Sequence, residues 1–281
     1  MIQHPSSLTH APSAVALRGV GRQFAGYTAV DSISLEVPAG RFVAMVGPSG
    51  CGKSTVLNLI AGLIAPTHGT VSIFGEPLSG INRRAAYMFQ QDGLLPWKTI
   101  VDNVRLGLDI RGRRASEARA EAMAWVDRVG LKGFGDRYPY QLSGGMRRRA
   151  AMAQAWIVQP DLLLMDEPFG AIDVHTRLRM ESELLGLWAD TQQTIIFVTH
   201  DLEEAISLSD EVLVLSAGPA SRVVGRHQVN LDRPRDLLDL KLDARFHELF
   251  AMIWGDLRQE VLNSQGREVF ENHEARRPGE R

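Results

Sequence analysis

Short apolar runs alternate with helix-length amphipathic segments along most of the chain. The runs at 15–18, 32–37, 42–46, 71–74 and 86–89 are rich in β-branched and aliphatic residues, as are those at 162–165, 195–198, 212–215 and 222–224. Those without polar alternation predict strands buried on both faces. The long segments between them predict crossover helices, hence an α/β fold with a parallel core sheet. Ile33, Leu35 and Val37 alternate with polar neighbours instead, which predicts a half-exposed strand in an antiparallel β-subsheet.

From about 93 to 159 the strand pattern stops. Residues 115–129 are Ala/Glu/Arg-rich and 144–157 carry a second helical pattern, so this region reads as a helical subdomain inserted between two parts of the sheet. The main domain is expected over 15–225. Beyond it, Phe246, Leu249, Phe250, Ile253, Trp254, Leu257 and Val261 recur at helical spacing. They predict a helical extension within 226–281 that packs on the core, with a partner-binding face as the alternative. Residues 1–14 read as a flexible tail, and the charged stretch 271–281 as a disordered end.

Composition changes this picture only modestly. Among 281 residues, 31 Lys and Arg nearly balance 33 Asp and Glu, so no charge block argues for nucleic acid. The single cysteine, Cys51, forbids an internal disulfide and fits a reducing compartment. No run of apolar residues is long enough to cross a bilayer, so any service to a membrane is expected from its side.

The strand at 42–46 runs into Gly47-Pro48-Ser49-Gly50-Cys51-Gly52-Lys53-Ser54-Thr55, and a helix opens there. This is a G-x-x-x-x-G-K-[ST] phosphate cradle in its strand–loop–helix context. Glycines let successive backbone N–H groups turn inward around a phosphate, and the helix N-terminus adds favourable partial charge. Lys53 is placed to reach the β- and γ-phosphates of ATP, and the Ser54 hydroxyl to ligate Mg²⁺.

Three further strands end in chemistry. The run 162–165 leads to Asp166 and Glu167, the first suited to holding Mg²⁺ through a water and the second to polarising the attacking water. The run 195–198 ends at Thr199-His200-Asp201, where His200 is expected to face the γ-phosphate. Gln90, closing a third strand, is within reach of the Mg²⁺ or the attacking water. Leu142-Ser143-Gly144-Gly145-Met146 opens a helix and reads as a second anion site, aimed at a γ-phosphate bound elsewhere.

That last motif, together with the others in their order, resembles the ATP-binding subunits of ABC transporters over about 15–225. The resemblance implies a P-loop NTPase fold, with Gln90 as the Q-loop glutamine, Glu167 as the catalytic glutamate and His200 as the switch histidine. Gly170-Ala171-Ile172-Asp173 resembles the D-loop. Phe24 falls where the family stacks an aromatic on adenine, with Tyr27 as the fallback. Met146 stands where many members have Gln, and Ile172 where Leu is usual. Met146, the segment 91–97 and the step Phe169-Gly170-Ala171 resemble the nitrate, sulfonate and taurine importer group. The family pattern implies a head-to-tail homodimer that shares two ATP molecules between cradle and Ser143 turn. It also implies integral-membrane permease subunits, a periplasmic solute-binding protein acting indirectly, and a peripheral place on the cytoplasmic side of the inner membrane. Trp97, Leu94 and Leu95 are expected as exposed apolar residues of the docking surface, with burial inside the helical subdomain as the alternative.

Overall fold

The computed structural model describes residues 13–170 and 172–274, with side chains described through 264. The expected tail therefore lies outside the described residues up to 12. Ser13 and Ala14, expected in that tail, begin a strand instead, because Ala14 is fully buried.

Strands β1 (Ser13–Phe24), β2 (Tyr27–Pro38), β4 (His68–Ile73) and β5 (Glu76–Pro77) form an antiparallel sheet in the order β2-β1-β4-β5. β2 turns Ile33, Leu35 and Val37 inward and exposes the residues between them, so the alternation in the sequence reports a sheet with one wet face.

The second sheet runs β10-β9-β3-β8-β7-β6. It comprises β3 (Phe42–Val46), β6 (Ala85–Met88), β7 (Leu162–Asp166), β8 (Thr194–Val198), β9 (Glu211–Leu215) and β10 (Val223–Gln228). All neighbours are parallel except the edge pair β9–β10. Every residue of β3, β7, β8 and β9 is buried, as unbroken apolar runs require. Their side chains serve two cores. Phe42, Ala44, Leu163, Met165, Ile195 and Phe197 face the helical layer, whereas Val43, Met45, Leu164 and Ile196 face helix α1 (Lys53–Ile60) and the antiparallel sheet.

Between β6 and β7 the chain is helical, as expected: α2 (Ile100–Val104), α3 (Leu106–Ile110), α4 (Ala115–Arg128) and α5 (Gly144–Trp156). Helices α6 (Val174–Thr191) and α7 (Leu202–Leu208) complete the crossovers, and a short α8 (Leu237–Leu240) leads to α9 (Ala244–Glu274). The boundary expected at 225 falls inside β10, so the sheet carries the chain past it. Phe246, Ile253 and Leu257 of α9 join the helical-side core, and Glu260 accepts a 2.8 Å hydrogen bond from the Ala217 N–H. The extension is thus packed on the domain. Trp254, at 44% exposed, faces away from it. Of the end expected to be disordered, 271–274 continue α9 and 275–281 lie outside the described residues.

Candidate active site

Pairing in the core sheet dictates where the site forms. Met45 lies opposite Val198, Asp166 opposite Val198, and Met88 opposite Met165, so β3, β8, β7 and β6 end at one edge. The cradle, His200, Glu167 and Gln90 each follow one of these ends. The edge is the ligand crevice of an open parallel sheet.

The cradle leaves β3 and enters α1 through Gly52, whose φ is +87°. A Cβ there would lie 2.7 Å from Val30 Cγ1, so both the left-handed backbone and the space demand glycine. Ser221 Oγ donates to the Cys51 carbonyl and, at 3.3 Å, to the Ala29 carbonyl, pinning the loop to the antiparallel sheet. Lys53 is buried, and its Nζ donates to the Gly47 and Pro48 carbonyls at 2.8 and 2.9 Å. The ammonium is held inside the loop by carbonyls that a phosphate can replace. Cys51 is fully buried and its thiol pKa is pushed up, chiefly by burial, so it fills space beneath the loop and makes a poor nucleophile.

Ser54 follows Lys53 at the start of α1, and its side chain lies close enough to the Asp166 carboxylate to act on its charge. Burial raises the Asp166 pKa most, with Glu167 adding to it, while Ser54, Tyr87 and Lys53 oppose the rise. Among the described residues no group of three or more His, Cys, Asp or Glu could hold a metal. The paired oxygens of Ser54 and Asp166 nevertheless fit Mg²⁺, a hard cation that takes few protein ligands and completes its shell with water and phosphate.

Glu167 follows Asp166 with φ +45°, a left-handed conformation rare for a side chain of this kind. Its N–H bonds the Val198 carbonyl at 2.9 Å, and its carboxylate is flanked on both sides. Gln90 Nε2 donates to Oε2 at 2.9 Å, and His200 Nδ1 stands 3.6 Å from Oε1. The chain just after His200 is anchored to the helices on either side. Asp201 caps α7 by accepting from the Glu203 and Glu204 N–H groups, and Arg177 pairs with Asp201 at 3.0 Å.

Ser143, Gly144, Gly145 and Met146 lie apart from this edge in sequence, opening α5. Ser143 caps that helix through the Met146 N–H at 3.3 Å, as its residue type favours. A Cβ on Gly145 would meet Thr176 Cγ2 at 2.8 Å, so glycine lets α5 approach α6. Asp173 caps α6 through the Thr176 N–H at 3.1 Å, and Thr176, by its side chain first and its N–H second, lowers the Asp173 carboxyl pKa. Ala171, between Gly170 and Ile172, lies outside the described residues.

Phe24 and Tyr27 flank the β1–β2 turn and are both exposed. The Arg22 guanidinium covers the Phe24 ring at 4.5 Å, and the Tyr27 hydroxyl stands with the Gly50 carbonyl around Gly218. Of the expected docking residues, Trp97 is 71% exposed, but Leu94 is buried in the helical-side core and Leu95 half-buried. Asn103 explains that correction: it accepts from the Leu95 N–H and donates to the Leu95, Lys98 and Thr99 carbonyls, folding the loop onto α2. Beside Trp97's loop, Tyr87, Phe89, Leu106, Ile110, Ala151 and Val158 line a groove of about 270 Å³.

Two residues of the site escaped the sequence reading. Tyr87 points its hydroxyl at Asp166 Oδ2 across 3.5 Å, and burial together with that carboxylate pushes its pKa strongly up. Arg148 is buried in α5 and donates to the carbonyls of Phe89, just before Gln90, and of Glu167 and Pro168. An aromatic inside a strand, and three consecutive arginines in a helix, carried no signal separable from ordinary packing.

The family model described as ABC transporter matches residues 30–170. The taurine import ATP-binding protein TauB of Yersinia pestis bv. Antiqua is 45% identical over 212 residues, covering 75% of this chain and 83% of that protein. An uncharacterized ABC transporter ATP-binding protein of Methanocaldococcus jannaschii, MJ0412, is 43% identical over 236 residues, covering 84% and 86%. Among solved structures, the dimeric post-hydrolysis state of the ATP-binding cassette MJ0796 bound to ADP and Pi superposes with a TM-score of 0.70 at 29% identity. It covers 78% of this chain and all of that one.

Proposed function

This chain belongs to the ABC transporter family and carries its ATPase domain, and from that premise we propose that it powers an importer of a small nitrate-, sulfonate- or taurine-like solute. The observation that carries the reading is the meeting of Gln90, Glu167 and His200 beside the buried Lys53 and Asp166. The taurine-import relatives support the importer class and the solute type.

In the proposed reaction Lys53 exchanges its two loop carbonyls for β- and γ-phosphate oxygens of ATP. Ser54, Asp166 and Gln90 would hold Mg²⁺, which when bound would neutralise phosphate charge. Glu167 accepts the proton of the attacking water through its carboxylate. Gln90 orients that carboxylate by donating to Oε2, and His200 on the opposite side hydrogen-bonds the γ-phosphate. Ser143, Gly144, Gly145 and Met146 of a second copy close the site from above, and Asp173 lies at the same interface. The dimeric form of the cassette MJ0796 supports this arrangement.

No helix among the described residues is long and apolar enough to cross a membrane. The solute path therefore belongs to permease subunits, which dock at Trp97 and the adjoining apolar groove; Phe89 and Ile110 leave large surfaces exposed there. The subunit works peripherally, on the cytoplasmic side of the inner membrane, and a periplasmic protein delivers the solute from the far side.

Reconstitution with the permease in proteoliposomes tests this function. Uptake of a small sulfonate or nitrate should need ATP and should vanish with Lys53→Ala, which removes the cradle's ammonium. ATP-driven uptake of only carbohydrates or peptides would overturn the solute class. Undiminished uptake with Lys53→Ala would overturn the role of the cradle.

A further inference from the structure

Arg148 occupies an unusual place for a charged side chain. It is 5% exposed, one turn into α5 from the Ser143 cap, and its partners are carbonyls rather than carboxylates. Nη1 donates to Phe89 O, Nη2 to Glu167 O and Nε to Pro168 O, each at 2.7 Å, with a longer Nη2 contact to Asp166 O at 3.4 Å. A planar guanidinium is the one side chain that can direct rigid donors at three such acceptors together. Burial lowers its pKa, and the charges of Asp92, Asp166 and Glu167 oppose that fall.

The carbonyls it grips are chosen by position. Phe89 immediately precedes Gln90, while Glu167 and Pro168 form the turn from which the Glu167 side chain springs, the same turn whose φ is +45° at Glu167. The neighbouring Arg147 adds a second tie to the Gln90 loop through Asp92 at 2.8 Å, and also holds the Leu142 carbonyl, just ahead of the Ser143 turn, at 2.8 Å. One helix thus holds both backbones that aim Gln90 and Glu167 at each other. The same helix carries the Ser143 turn at its N-terminus.

We propose that Arg148 is a positioning residue that couples the orientation of α5, and with it the Ser143 turn, to the Gln90–Glu167 pair. A rotation of α5 relative to the core sheet must either drag the Phe89 and Glu167 carbonyls along or break their bonds to the guanidinium. Hydrolysis is then efficient only when α5 stands correctly. This inference rests on the roles given above to Gln90 and Glu167.

The test is steady-state ATP hydrolysis by the full-length chain with Arg148→Ala. The expected result is a fall in kcat on the order of 10²-fold, because displacement of catalytic groups by about an ångström has that effect. KM for ATP and nucleotide affinity should stay within about threefold, since the cradle is untouched. In a Gln90→Ala background the same substitution should cost less than about threefold more, because the pair it positions is already broken. If Arg148→Ala does not fold, Arg148→Lys, which keeps the charge but offers one ammonium for three directed donors, is read by the same split. Unchanged kcat would overturn the proposal, as would equal losses of kcat and nucleotide affinity, full additivity with Gln90→Ala, or failure of both variants to fold. A Glu167→Gln control separates the two layers. If that control stays active, the reading of Glu167 itself fails; if it is inactive while Arg148→Ala is normal, only the coupling fails.

Discussion

Gln90 Nε2 donates a 2.9 Å hydrogen bond to Glu167 Oε2, joining side chains 77 positions apart that follow adjacent parallel strands. The bond occupies one carboxylate oxygen with a donor and leaves the other facing His200. A carboxylate fixed in this way presents a defined lone pair to a water. Because Gln90 is exposed, removing its amide leaves little unpaired in the interior.

Gln90→Ala should therefore fold normally and lower kcat by roughly 10- to 100-fold, with a much smaller change in KM. Steady-state ATP hydrolysis checks this. A normal kcat would remove Gln90 from the reaction, and a raised KM alone would make it a binding residue.

Much of this site is legible in the sequence because it depends on local chemistry. The cradle needs glycines, a lysine and a hydroxyl at fixed spacing, and the buried strands announce themselves as unbroken apolar runs. Asp166, Glu167 and His200 stand out as candidates because each closes or follows such a run. What stayed hidden depends on contacts made across the fold. Arg148 reaches Phe89 across 59 positions and Glu167 across 19, and its targets are carbonyls, which every residue has. Leu94 is expected at the surface because the family resemblance places the docking cleft near residues 90–97; Asn103 folds that loop inward through hydrogen bonds that no periodicity encodes. The start of β1 at Ser13 is hidden for the same reason, since this polar first residue takes its place in the strand by pairing across the sheet with Pro38 of β2.

The two aromatics beside the cradle make different predictions. Phe24 already stacks on a cation through Arg22, and an adenine ring offers a comparable planar partner. Phe24→Ala should raise the KM for ATP roughly 5- to 150-fold, the equivalent of about 1–3 kcal/mol of stacking, while kcat changes little. Tyr27→Ala should have the smaller effect. The opposite order would assign the adenine to Tyr27, whose hydroxyl stands near Gly50.

Glu181 gives a prediction about stability instead of catalysis. It is buried in α6, and burial, aided by Glu204, pushes its pKa up to about 8, with Arg177 opposing the shift. The folded state therefore holds a proton that the unfolded state, titrating near 4.3, has already lost. Between these values the native state binds more protons, so stability falls as pH rises, at no more than about 1.4 kcal/mol per pH unit. Glu181→Gln stays neutral and escapes this loss. Thermal melts should show the variant gaining on the wild type from pH 5 to pH 9; a gain independent of pH would contradict the assignment.

The central claim is that one ATP is hydrolysed between two copies of the chain, with Glu167 of one and Ser143 of the other at the same γ-phosphate. Glu167→Gln keeps the size of the side chain while removing its proton acceptance and a negative charge. Hydrolysis should stall with binding intact, trapping the closed form. The decisive measurement is the mass of Glu167→Gln protein by light scattering after size exclusion, alone and with its permease. The expected result is a dimer with ATP, a monomer with ADP, and loss of the ATP dimer when Ser143→Arg is added to obstruct the shared site. A Glu167→Gln protein that stays monomeric at saturating ATP, and shows no ATP-driven closure with the permease present, would contradict it.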